Sequence, residues 1–181
     1  MIRVISGIYK GQRLKKISSP GLRPMPDKLK SALFNILREE VKGTTILDGF
    51  AGTGSLGIEA LSRGAQKAVF IEENFHAVRV IRHNLEKIGV GDKVRVLAKE
   101  FNRGVILLGK EKAKFDLIFL DPPYRLLDER NPLKVIKKRD ILGPGGLIVL
   151  RRHFKTRFEA KYFSLRRQVT LGDDTLCFYQ E

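Results

Sequence analysis

The sequence has no tryptophan and one cysteine, Cys177. No internal disulfide can therefore form, and no cysteine cluster can hold a metal. The three histidines, His76, His83 and His153, are scattered, with no acid or serine at a spacing that suggests catalysis. No metal site is expected from them. Long apolar runs are missing too. A stretch such as Gly146–Leu150 falls far short of the roughly 20 residues that a membrane span requires. The start, Met1-Ile2-Arg3-Val4, lacks the apolar region and small-residue cleavage site of a secretory signal. The expectation is a cytoplasmic protein with neither a membrane nor a metal among its partners.

Acid is scarce relative to base. Lys and Arg number 35 against 20 Asp and Glu, for a net charge of +15 and a pI near 10.1. Such a balance points to a polyanionic partner. Residues 1–26 hold no acid at all, yet carry Arg3, Lys10, Arg13, Lys15, Lys16 and Arg23, the candidate phosphate contacts. The plainer alternative is a solvated basic surface, and the "KVIKKRD" run at 134–140 is read in that way, as a helix face.

What is present supports a single domain with a short appendage: 181 residues, 43% of them hydrophobic. In the leader, Val4-Ile5 and Leu14 flank Gly7 and Gly11, a hairpin pattern. "SSPGLRPMPD" follows as a loop, and Asp27 is placed to cap a helix presenting Leu29, Ala32, Leu33, Ile36 and Leu37 on one face. A boundary near Gly43 divides a basic extension, 1–43, from a larger domain, 44–181. In that domain apolar strands alternate with helices. The strands are expected at Thr45–Asp48, Ala68–Glu72, Val94–Leu97, Phe115–Asp121 and Gly146–Leu150. The helical stretches are Ser55–Ser62, Phe75–Ile88, Asn102–Leu108 and Leu126–Leu142, the last interrupted at Pro132. Two tail strands, Ser164–Thr170 and Thr175–Gln180, are joined by Gly172-Asp173-Asp174. The fold class is α/β: a Rossmann-like, mostly parallel sheet with helices on both faces and a C-terminal antiparallel hairpin.

The first strand runs into "ILDGFAGTGSLGIEAL", residues 46–61, where Asp48 precedes Gly49, Gly52 and Gly54. Glycines let a backbone turn tightly and approach a ligand beyond the strand ends. The P-loop pattern, with its GK[ST], is absent, which argues against triphosphate chemistry. Taken alone, the loop fits packing equally well. Two more strand ends carry acids: Glu72 in "VFIEEN", and Glu100, followed by Phe101, after "VRVLAK". Glu72 is spaced to take ribose hydroxyls, and Glu100 with Phe101 to meet an adenine. Three carboxylates along one edge repel a pyrophosphate and suit a cationic nucleoside, of which S-adenosylmethionine is one.

The fourth strand ends in "DPPY". An exocyclic amine on a nucleobase is a poor nucleophile, because its lone pair is delocalised into the ring. Asp121 and the Pro122 carbonyl, accepting its two N–H bonds, would free that lone pair for in-line attack. Pro122 and Pro123 would hold the acceptors still, and Tyr124 would stack on an extruded base. The plainer reading is an Asp-Pro-Pro turn beside a surface tyrosine.

"DGFAGTGSLGIEALSRGA" (48–65), "VFIEEN" and "FDLIFLDPPY", together with "RVISGIYKGQRL" and "LRPMPDKLKSALFNIL" in the leader, resemble the bacterial small-subunit ribosomal RNA guanine-N2 methyltransferase family nearly end to end. The DPPY motif is shared with adenine-N6 methyltransferases; the leader and the glycine loop are more specific. The resemblance implies a class I methyltransferase fold and methyl transfer from S-adenosylmethionine to the N2 amine of one guanine in 16S rRNA, within an assembled small subunit; a monomer is expected. It assigns Asp48, Ala51, Gly52, Thr53 and Gly54 to the cofactor loop, Glu72 to the ribose, Glu100 to the adenine side, and Asp121 to Tyr124 to catalysis. The chain departs from the family pattern at Met25 (usually Thr), Lys30-Ser31 (often Arg-Glu), Glu100 (commonly Asp) and Arg151-Arg152 (an acid). These departures are expected to bear on substrate contacts of the leader more than on the chemistry. Three alternatives remain: an adenine-N6 methyltransferase, a glutamine-N5 protein methyltransferase (where asparagine would replace Asp121), and a non-catalytic RNA-binding module.

Overall fold

The leader folds as a hairpin because two glycines adopt backbone angles that other residues rarely take. Gly7 and Gly11 sit at φ +86° and +85°, turning the chain between β1 (Ile2–Arg3) and β2 (Arg13–Leu14), which pair antiparallel. Val4 lies just past β1 and still exchanges bonds across the hairpin, with Gln12 O at 3.0 Å and Gly11 N at 2.9 Å. The structure, a computed structural model, describes residues 2–17, 25–123, 126–127, 131–156, 158 and 160–181.

Helix α1 (Asp27–Leu37) follows, but Asp27 does not cap it. Pro26 occupies the cap position with φ −57°, and its carbonyl takes the Lys30 N–H at 2.9 Å. Asp27 is instead the first helical residue, where its negative charge suits the helix N-terminus and faces Arg3 at 3.7 Å.

The domain then alternates β3 (Thr45–Asp48), α2 (Ser55–Ser62), β4 (Lys67–Glu72), α3 (Phe75–Ile88), β5 (Val94–Ala98), α4 (Phe101–Lys110), β6 (Phe115–Leu120), α5 (Pro132–Arg139), β7 (Leu142–His153), β8 (Ser164–Leu171) and β9 (Asp174–Gln180). Among the described residues the seven-stranded sheet has the order β5-β4-β3-β6-β7-β9-β8. The first five strands of that order are parallel and β9 is antiparallel to both neighbours.

Helix ends follow local chemistry. Asn74 caps α3 by accepting from Ala77 N, and Gly89 closes it at φ +72°. In the fourth helical stretch Leu126 and Leu127 are helical, and Asn131 caps α5 through Leu133 N, with Pro132 as the first residue of that helix. Strand β7 begins earlier than its apolar run suggests. Phe115 pairs with Leu142, and the register then shifts so that Leu117 pairs with Leu147. That irregularity accommodates Gly143 to Gly146 within the strand.

The alternation of side chains divides the core. Ile46, Phe70, Leu117 and Phe119 point to the face covered by α1, α2 and α3. Leu47, Ile71, Ile118 and Leu120 point to the face covered by α4 and α5. Ile2, Val4, Leu14 and Met25 of the leader belong to the first of these cores.

Polar contacts tie the leader down more specifically. The buried Glu59 of α2 accepts from Ile5 N at 2.8 Å and Ser6 N at 3.0 Å. Ser62 accepts from Tyr9 N at 2.9 Å, and its carbonyl accepts from Ile8 N at 2.8 Å. Asn84 of α3 accepts from Lys15 N at 2.7 Å while donating to Thr53 O at 3.0 Å, so one side chain links the leader to the glycine loop. Lys30 is sealed inside α1, donating to Arg3 O at 2.9 Å. Its burial pushes the ammonium pKa down, against Glu59 and Asp27, which hold it up. The Lys30 departure is thus part of the leader's buried attachment rather than a substrate contact.

Candidate active site

The five parallel strands all end at one edge, where an α/β sheet presents its ligand crevice. Strand order sets the sequence of groups along that edge: Glu100 after β5, Glu72 closing β4, Asp48 closing β3, Asp121 after β6 and Arg151 in β7. Asp48 pairs in register with Phe119, so Asp121 emerges immediately beside the glycine loop.

That loop is held by backbone bonds from Gly49 N to Phe119 O (2.9 Å) and Ala51 N to Ile71 O (3.0 Å). Gly49 is required by close approach, since a Cβ there would lie 2.7 Å from Phe101 and 2.9 Å from Leu120. Gly52 and Gly54 sit at φ +54° and +77°, in the left-handed region. Gly57 brings α2 against β4, for its Cβ would stand 2.3 Å from the Phe70 ring. Its N–H in turn donates to Asp48 Oδ2 at 3.0 Å.

Beyond the carboxyl ends of β3 and β6 opens a cleft of about 470 Å³, within the range of small-molecule sites. Its floor is formed by Asp48, Phe50, Ala51, Gly52, Thr53, Ser55 and Leu56, with Asp121 beside them. The leader and α1 contribute the other side through Ile2, Lys16, Ile17, Met25, Pro26 and Asp27. Of the residues expected at the cofactor, Asp48, Ala51, Gly52 and Thr53 line it. Gly54, Glu72, Glu100 and Phe101 do not. Glu72 is turned onto the loop, accepting from Gly52 N at 2.8 Å and Asn74 N at 2.9 Å; burial raises its pKa, against those N–H donors, which lower it. Glu100 caps α4 by accepting from Arg103 N at 3.1 Å. Phe101 is buried, stacked on Phe50 at 4.5 Å and 21°. The aromatic surface in the cleft therefore belongs to Phe50, a residue the sequence reading passed over although it sits inside the glycine loop.

Asp48 is sealed from solvent, and its pKa is pushed up to about 7: burial dominates, Gly57 N–H opposes it, and Asp121 and Glu72 add to it. Burial likewise raises the Asp121 pKa, and Arg151 lowers it. Arg151 Nη1 lies 3.0 and 3.2 Å from the two Asp121 oxygens, and its Nε donates to Asp174 Oδ1 at 2.9 Å. The departure at Arg151 thus falls on the DPPY carboxylate itself, correcting the expectation that it would spare the chemistry. Arg152 instead folds the next turn, donating to Thr156 O at 2.8 Å.

Pro122 is buried and Pro123 exposed; the Pro123 carbonyl accepts from Leu126 N at 2.9 Å. Tyr124 and Arg23 lie outside the described residues. Arg3, Lys10, Arg13, Lys15 and Lys16 are all exposed on the leader, and Lys16 reaches the cleft. Among the described residues no group of three or more His, Cys, Asp or Glu could hold a metal, and no helix is long and apolar enough to cross a membrane. Cys177 is buried in β9.

The donor set fits a cationic nucleoside. The buried Asp48 carboxylate answers positive charge, Phe50 offers a stacking face, and Gly52 leaves the backbone unscreened by a side chain.

Residues 2–180 match the family described as conserved hypothetical protein 95. The ribosomal RNA small subunit methyltransferase D of Escherichia coli K12 is 37% identical, over 99% of this chain and 89% of that protein. The solved structure of a hypothetical protein from Thermus thermophilus superposes with a TM-score of 0.86 at 29% identity, each chain covered completely. A T. thermophilus 16S rRNA N2 G1207 methyltransferase in complex with AdoMet and guanosine gives a TM-score of 0.73 at 25% identity, over 91% of this chain and 44% of that one.

Proposed function

This chain belongs to the ribosomal RNA small subunit methyltransferase D family, and on that premise we propose that it methylates the exocyclic N2 amine of one guanine in 16S rRNA, using S-adenosylmethionine, as a cytoplasmic monomer acting on the assembled small subunit. The observation that carries the reading is the Asp121 carboxylate at the rim of a cleft whose floor is the Asp48 glycine loop.

When bound, S-adenosylmethionine supplies a methyl group activated by its sulfonium. The chain's residues do the rest. Asp48 answers the positive charge from below the loop, Thr53 and the backbone around Gly52 border the ligand, and Phe50 offers its ring face. Glu72 holds the loop in shape through Gly52 N–H. Asp121 accepts one N–H of the target amine and the Pro122 carbonyl the other, which favours a pyramidal nitrogen with an available lone pair. Pro122 and Pro123 stiffen that turn, and Tyr124 stacks on the base. The proton released by the methylated nitrogen passes to water. The exposed cations of the leader, Arg3, Lys10, Arg13, Lys15 and Lys16, contact RNA phosphates as an RNA-binding extension of the methyltransferase domain, with Arg23 in the same segment.

The test is transfer of labelled methyl from S-adenosylmethionine to small subunits lacking their modifications, followed by nucleoside digestion. Wild type is expected to place label in N2-methylguanosine, and Asp121→Ala to lose at least about 100-fold in rate. Label in N6-methyladenosine would overturn the guanine assignment. Label on protein alone would overturn the RNA substrate.

A further inference from the structure

The cleft does not explain why an arginine is buried behind its carboxylate. Arg151 is 7% exposed and stands one residue beyond Leu150, which pairs with Leu120. It therefore lies level with Asp121 on the neighbouring strand. Its Nη1 touches both Asp121 oxygens, at 3.0 and 3.2 Å, while its Nε is held by Asp174 Oδ1 at 2.9 Å. Three strands, β6, β7 and β9, thus meet in one acid–base–acid array.

We propose that Arg151 is a positioning residue: anchored by Asp174, it aims the Asp121 carboxylate into the cleft and keeps it a hydrogen-bond acceptor for the target amine.

The inference rests on the reading of Asp121 as the amine acceptor. A carboxylate has about four lone-pair directions. One guanidinium nitrogen set between both oxygens occupies the inner pair and leaves the outer ones for the ligand. It also fixes rotation of the carboxylate, which a proline turn alone does not do, because the prolines constrain backbone and not χ angles. Protonation would turn one oxygen of Asp121 into a donor, facing the N–H donors of the amine. The surroundings press in that direction: Asp121 is half-buried and partly desolvated, and Asp48 and Asp174 are acids nearby. Lys16 and Asp27 face the same cleft from the leader side. Among the described residues, Arg151 is the cation in direct contact with Asp121. Asp174, in turn, satisfies the Nε edge, so the guanidinium is held at both ends. A lysine could supply the charge but not the two-edged planar fork.

Three variants separate positioning from mere strand attachment: Arg151→Met, Arg151→Lys and Asp174→Asn. Two readouts are used, the pH profile of kcat on undermethylated subunits and the 13C titration of the Asp121 carboxyl in the free protein. In Arg151→Met, kcat at pH 7 is expected to fall at least tenfold, and the acidic limb of the profile and the Asp121 midpoint to rise by a unit or more. Arg151→Lys is expected to restore the midpoint but only part of kcat. In an Asp121→Asn background, Arg151→Met is expected to add less than twofold, because the two act as one unit.

A fall in melting temperature with an unmoved Asp121 midpoint and additive kinetic losses would overturn the proposal and leave Arg151 a structural residue. Should Arg151→Met fail to fold, Asp174→Asn, which frees only one edge of the guanidinium, is expected to lower kcat while leaving cofactor affinity unchanged; unchanged kcat overturns the proposal. If wild type methylates no nucleic acid, the functional reading fails on its own, and the Asp121 midpoint still decides whether Arg151 controls that carboxylate.

Discussion

Lys30 and Glu59 face each other at 3.7 Å with side chains 1% and 0% exposed, and through them the leader is fastened to the domain that holds the cleft. Glu59 also receives Ile5 N, Ser6 N and Arg63 Nε, while Lys30 reaches Arg3 O. Glu59→Leu would leave a buried ammonium and two backbone donors without their carboxylate. The expected cost is about 3–5 kcal/mol, measured by urea unfolding. Lys30→Met, which leaves Glu59 its other donors, is expected to cost less, and the double variant to cost less than the sum of the two.

Gly7 and Gly11 provide a matched pair. Both have positive φ, but a Cβ on Gly7 would stand 1.8 Å from the Ser62 carbonyl oxygen, whereas one on Gly11 meets nothing within 4 Å. Gly11→Ala is expected to cost about 1 kcal/mol, the left-handed backbone term alone. Gly7→Ala must push the hairpin off α2, breaking the Ile8 and Tyr9 bonds to Ser62. Its melting temperature and its affinity for small-subunit RNA are both expected to fall well below those of Gly11→Ala.

Asp48 carries a pH signature. Its pKa in the fold, about 7, is above its ordinary value, so between about pH 4 and pH 7 the native state keeps a proton that the unfolded chain has lost. Its contribution to stability therefore falls as pH rises across that window, by at most about 4 kcal/mol. Ionised Asp48 favours a cationic ligand, so S-adenosylmethionine affinity is expected to rise roughly tenfold from pH 6 to pH 8. In Asp48→Asn, calorimetric titration is expected to show that step abolished.

The leader's cations predict a salt dependence. If Lys10 and Arg13, both exposed, each neutralise a phosphate, the double alanine variant is expected to reduce the slope of log K against log salt by roughly 1.5. Cofactor affinity is expected to stay unchanged, since neither residue lines the cleft. An unchanged slope would place the RNA elsewhere on the surface.

Much of the architecture was legible because it is local. Ala77, Ile81 and Leu85 recur at helical spacing and are buried in α3, and the alternation along β3, β4 and β6 divides into two cores as period-two patterns must. Asp48 and the glycine loop could be located for the same reason: a strand, an acid and three glycines are neighbours in sequence. Element ends were less legible where backbone geometry competed with side-chain propensity. Pro26 displaced Asp27 from the cap of α1, and the bulge opposite Phe115 drew Gly143 to Gly146 into β7.

Phe50 and Phe101 show the same limit within the site. Both follow strand ends, and composition does not rank them. Close packing behind Gly49 puts Phe101 inside and leaves Phe50 at the cleft. Likewise Glu72 and Glu100 stand at the expected strand ends, yet their carboxylates turn to the backbone N–H groups of Gly52 and Arg103.

The sequence by itself determined the alternating α/β pattern, the basic leader and the run of acids at successive strand ends, because each is written in residues close along the chain. Only the tertiary structure decided that Arg151 meets Asp121 across 30 residues and that Glu59 meets Ile5 across 54. Such pairs depend on strand order and on register across the sheet, which are fixed when two cores pack at once and not by the preference of any single segment.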